Sequence, residues 1–71
     1  MNPKTMNRIL LAVKRAREKH PDFAPSEEYA VSIAAEEFGE WAKEVNDDNR
    51  AKAEEEALDL IAVLVRYLEE E

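Results

Sequence analysis

Seventy-one residues make one small domain, and a chain of that length hides only about 60% of its unfolded surface, so its own core is thin. Having no cysteine excludes disulfides and thiolate zinc sites, and a single histidine excludes a histidine-based metal cluster. A net charge of −7 argues against general binding of DNA or RNA, whose phosphates call for a basic surface. A carboxylate site for a hard cation stays open.

The charge is uneven along the chain. Residues 1–19 carry six bases against Glu18 alone, whereas residues 20–71 hold 16 acids and four bases. The basic segment is expected to lie against the acidic remainder, in the same subunit or another, or to meet a small anionic ligand.

Three helices are predicted. Asn2-Pro3 supplies a cap and a proline at the first helical position, and Met6, Ile9, Leu10, Val13 and Ala16 carry an apolar stripe to about Lys19. The apolar run 9–13 is too short for a signal peptide or a membrane span, which makes the cytoplasm the expected compartment, with no membrane partner. Pro21 and Pro25 mark a connector. There Phe23 is expected to pack the loop down, and His20 to stay exposed.

Ser26 is a good N-cap, and Glu27 and Glu28 suit the positive end of a second helix over 26–45. Its expected inward stripe is Ala30, Ala34, Phe38, Trp41 and Val45. Gly39 inside it costs about 1 kcal/mol relative to alanine, so a neighbouring helix or a ligand is expected to approach there. Residues 46–49 form a turn, and a third helix follows over 50–69. Ala57, Ile61, Leu64 and Leu68 centre its apolar face, which Leu58, Leu60, Val65 and Tyr67 widen past half the circumference. Two short helices can hardly cover that. The predicted fold is therefore all-α: a three-helix protomer that completes a bundle of four or more helices as a homodimer or homotetramer.

Asp59 is the only polar residue between Ala57 and Val65, and a carboxylate enclosed by such a run must be neutralised, hydrogen-bonded or bound to a cation. Glu56 precedes it by one turn. Glu37 and Glu40 repeat the same three-residue step on the second helix, where side chains three apart lie about 5–6 Å from each other at Cβ. If the two helices pack antiparallel, the pairs face each other, and Mg²⁺ or Mn²⁺ would relieve their repulsion. In a chain with 17 acids the spacing alone leaves solvated or salt-bridged carboxylates equally open.

Glu36-Glu37-Phe38-Gly39-Glu40, fifteen intervening residues and Glu56-Ala57-Leu58-Asp59 resemble the paired E-E-x-x-E and E-x-x-D signature of the MazG-like, all-α nucleoside triphosphate pyrophosphohydrolases. The resemblance covers about residues 26–68. It implies a helical bundle assembled by dimerisation, with acids of two adjacent helices holding Mg²⁺. It also implies cleavage of a nucleotide between its α and β phosphates, releasing nucleoside monophosphate and pyrophosphate. By motif position Glu37, Glu40, Glu56 and Asp59 would be the metal ligands. Glu36 would be the catalytic residue, as an outer ligand or the group that positions the attacking water. Lys43, Arg50 and Lys52 are the nearest bases in sequence and the candidates for phosphate contact, although such helix-end bases are more often solvated. Trp41 is expected in the core or at the dimer interface.

Members of the family commonly continue into another helix that helps to build the nucleotide pocket, whereas this chain ends twelve residues after Asp59. The pocket is then expected to be shared across a dimer interface. The alternative is a non-catalytic dimerising or regulatory module that keeps only the fold or the metal site.

Overall fold

The computed structural model describes residues 1–70. These form three α-helices, α1 (Pro3–Lys19), α2 (Glu27–Asn46) and α3 (Arg50–Glu70), with no strand among the described residues. Each helix starts where a side chain satisfies an otherwise orphaned N–H. Asn2 Oδ1 accepts from Thr5 N at 2.9 Å, Ser26 Oγ from Tyr29 N at 3.2 Å and Asn49 Oδ1 from Lys52 N at 3.4 Å. Caps of this kind contribute about 1 kcal/mol each. None of the three helices is long and apolar enough to cross a membrane.

The turn after α2 closes with two backbone bonds, Asn49 N to Glu44 O at 2.9 Å and Asp48 N to Val45 O at 3.2 Å. Asp48 takes the left-handed conformation, φ 56°, which aspartate tolerates better than most non-glycine residues. So short a turn makes α2 and α3 antiparallel. At the far end Tyr67 Oη donates to Glu27 Oε1 at 2.7 Å.

α3 is the centre of the molecule. Both α1 and α2 pack on it, and they do not pack on each other. α1 runs parallel to α3, with Arg8 bonded to Glu54 at 2.8 Å and Arg17 bonded to Glu69 and Glu70. The basic segment thus lies against acids of its own subunit. These pairs are solvent-exposed, so water and salt screen them and each contributes little to stability.

The buried apolar residues are small: Val13, Ala30, Ala53 and Ala62. Among the described residues the buried polar one is Arg66, only 3% exposed. Its Nε donates to Glu70 Oε2 at 2.8 Å, its Nη1 to Ala16 O at 3.1 Å and its Nη2 to Pro21 O at 3.4 Å. The guanidinium also lies 5.1 Å from the centroid of the Phe23 ring. Phe23 does hold the connector down, but it does so beneath a cation, and His20 is exposed as expected.

Two expected stripes face elsewhere. Phe38 and Val45 on α2 are 55% and 51% exposed, and Leu64 and Leu68 on α3 are 47% and 79% exposed. Alanines at the helix contacts let the backbones approach, and the seam settles on them, leaving the larger side chains on one flank. Gly39 is open as well: a Cβ built there meets nothing within 4 Å. The close approach expected at that position does not occur within the single chain.

Candidate metal centre

The antiparallel register of α2 and α3 brings Glu37 beside Glu56 and Asp59. One carboxylate oxygen from each lies within 4.8 Å of the other two. Oxygens bound to one Mg²⁺ at 2.0–2.1 Å are about 2.9 Å apart when adjacent and about 4.2 Å apart when opposite, so side-chain rotations that move these oxygens by about an ångström are needed to gather all three around a cation. Glu37 and Glu56 are half-buried and Asp59 is exposed. Glu37 Oε2 and Glu56 Oε2 are enclosed and have no hydrogen-bond partner. Acceptors left in that state cost about 1–3 kcal/mol each, and more when charged.

Enclosure therefore falls on the two glutamates and not on Asp59, where the apolar run had placed it. Successive helical residues point 100° apart. Leu58 and Leu60 turn to either side of Asp59, and its own direction is left open because α1 and α2 do not meet over α3.

The electrostatics are those of crowded like charges. Burial, then contact with Glu40 and the charges of Asp59 and Glu37, push Glu56 up to about 7. Burial comes first for Glu37 too, followed by the charges of Glu40, Asp59 and Glu36, and its carboxyl is raised despite an opposing contact with Glu56. Asp59 keeps an open face to solvent, yet the protein packed around the base of its side chain displaces enough water to raise its carboxyl, followed by the charges of Glu40 and Glu55, with Lys19 acting against them.

Of the predicted ligands, Glu37, Glu56 and Asp59 form the close set. Glu40 stands beside it, and its charge reaches all three members. Glu36 is exposed, and its charge reaches Glu37. The predicted phosphate contacts lie around the α2–α3 turn. Lys43 pairs with Asp47 at 3.3 Å, Arg50 pairs with Glu54 at 2.9 Å, and Lys52 is exposed. Lys19, which sequence reading missed, is the base whose field is felt at Asp59. Forty residues separate the two in sequence, and only the packing of α1 on α3 relates them.

An arrangement of this kind can bind a hard dication through carboxylates from two helices while leaving its open side to water or phosphate oxygens. No protein-family model, curated protein or solved structure matches the chain.

Proposed function

We propose that the protein is a Mg²⁺-dependent nucleoside triphosphate pyrophosphohydrolase, also served by Mn²⁺, that releases nucleoside monophosphate and pyrophosphate and works as a homodimer or homotetramer. One observation carries the metal part of this reading: three carboxylates from two helices converge, and two of their oxygens are enclosed without a hydrogen-bond donor. A proton or a cation is what such a group takes up. The paired E-E-x-x-E and E-x-x-D spacing supports the reaction.

In this reading Glu37, Glu56 and Asp59 hold the cation, with Glu40 as the fourth ligand. The bound ion supplies charge neutralisation for the phosphates and an activated water. Glu36, next to Glu37 and exposed, would orient that water. Lys43 and Lys52 are offered to the phosphates, whereas Arg50, about 180° around α3 from Asp59, lines the groove with Trp41 and Val45 on the opposite flank and is not.

The test is a nucleotide panel assayed for pyrophosphate with Mg²⁺ or Mn²⁺, alongside thermal melts with and without the metals. Metal-induced stabilisation with pyrophosphate release supports the enzyme, and no response to either metal removes its basis. The openness beside Asp59 favours a second reading, a dimerising or regulatory module that keeps the metal site. It predicts metal-induced stabilisation without turnover of any nucleotide.

A further inference from the structure

Asp59 shares a line on α3 with Arg66. Seven residues separate them, which brings Arg66 within about 20° of Asp59 and about 10 Å farther along the axis. Arg66 is where the end of α1 is fastened. Its Nη1 and Nη2 hold the Ala16 and Pro21 carbonyls, and Ala16 O also accepts from His20 N at 2.9 Å. The last turn of α1 is therefore pinned on both sides of Lys19. It lies over the line of α3 that carries Asp59, on the side of the acids away from the α2–α3 turn.

Lys19 turns toward those acids. Lys14 and Arg17, about 140° and 160° around α1 from it, line the groove on the other side of α1 with Met6, Leu10 and Val65. Lys19 is also the base whose charge reaches Asp59. Arg8, Arg17, Lys43, Arg50 and Arg66 are each paired with a carboxylate. Lys19 is exposed, and among the described residues its ammonium has no ion pair or hydrogen bond. The ammonium thus stands close enough to Asp59 to act on it without touching it. An anion bound on the open side of the carboxylates fits between the two.

We infer that Lys19 is a phosphate-binding residue, its ammonium donating to the diphosphate group of the substrate from the connector end of the site. The inference rests on the metal-dependent reading proposed above. Lys52, seven residues before Asp59 on the same line of α3, lies toward the turn. A diphosphate lying along α3 then has a base at each end. A lysine suits this position because it meets phosphate as a compact charge with three donors, and the pinned turn fixes where its stem begins.

The test is calorimetric titration of the full chain, first with Mg²⁺ alone and then with inorganic pyrophosphate at saturating Mg²⁺. Lys19→Met should weaken pyrophosphate binding about 10-fold or more, the scale of a charge-assisted contact. Its Mg²⁺ affinity should be unchanged or slightly higher, since a positive charge has left the neighbourhood of Asp59. Lys19→Arg should restore most of the pyrophosphate affinity. Lys14→Met makes the same change in net charge on the other side of α1 and should bind as wild type does. Lys19 is exposed, so helicity by circular dichroism should persist in each variant. Wild-type pyrophosphate affinity in Lys19→Met, or an equal loss in Lys14→Met, overturns the role of Lys19 and leaves the metal centre standing. So does a Lys19→Met protein that loses Mg²⁺ affinity to the same extent. A wild type that binds Mg²⁺ but no pyrophosphate overturns the phosphate contact alone, and one that binds no Mg²⁺ overturns the reading beneath it as well.

Discussion

The two flanks of the α2–α3 pair are built from the same turns of the same helices, yet they are unfavourable for opposite reasons. On the acidic flank the cost is electrostatic: Glu37 and Glu56 enclose oxygens that no donor reaches, and three carboxyls are raised by burial and by one another. On the other flank the cost is hydrophobic, since Phe38, Val45, Leu64 and Leu68 face water. A 71-residue chain has too little surface to bury both, and separating them lets each be relieved by different chemistry. A cation suits the first and an apolar surface suits the second. Arg66 is the contrasting case: a buried charge whose guanidinium finds Glu70, two carbonyls and an aromatic face within the chain.

The sharpest way to break the comparison is to remove the acids. Glu37→Gln or Asp59→Asn should lower pyrophosphate release by about 1,000-fold or more, roughly 4 kcal/mol, while helicity by circular dichroism is kept. The same changes should abolish the stabilisation by Mg²⁺ and raise the melting temperature of the metal-free protein at pH 8, where the carboxylates repel most. Variants that keep full turnover would remove these residues from the site.

Arg66→Ala should cost about 2–4 kcal/mol in urea unfolding, because the Ala16 and Pro21 carbonyls lose their donor and Phe23 its cation. A loss under about 0.5 kcal/mol, the scale of an ordinary surface change, would mean that the clamp does not hold the connector.

The pH dependence tests the acidic flank without mutation. Glu56 moves from an ordinary value of 4.5 up to about 7 in the folded chain. Between those values the folded state binds more protons than the unfolded one. The group's protonated form is therefore favoured by folding, and stability declines as pH rises through that window. Metal-free melting temperatures should fall from pH 5 to pH 8. Mg²⁺ competes with the same protons, so its affinity should rise over the same range and flatten or reverse the trend. A metal-free profile flat across this window would show that the carboxyls are not crowded.

The smallest effect is expected at Gly39, which sits on neither flank and has open space where a Cβ would go. Gly39→Ala should stabilise the chain by about 0.5–1 kcal/mol through helix propensity alone. Destabilisation instead would reveal a close neighbour there in the assembled protein.

Much of the local structure was legible in the sequence. Asn2-Pro3, Ser26 and the polar turn at 46–49 mark the helix starts and the reversal to within a residue or two. The three-residue steps Glu37/Glu40 and Glu56/Asp59 show that acids of two helices can meet. Less legible was the environment of each side chain. The apolar run around Asp59 suggests enclosure, but a helix distributes neighbouring residues around its axis. Arg66 gave no signal beyond its i,i+4 spacing to Glu70, because its other partners lie in α1 and the connector.

What the sequence determined by itself follows from interactions within a few residues: caps, prolines, helical period and the tight turn that makes α2 and α3 antiparallel. Only the tertiary structure decided which azimuth of each helix meets its neighbour. That choice rests on the alanines Ala30, Ala53 and Ala62 letting backbones close, and on α1 and α2 packing on α3 without meeting each other. It turned Phe38 and Leu64 outward, left Asp59 exposed and enclosed Glu37 and Glu56, because packing depends on contacts between residues far apart in the chain.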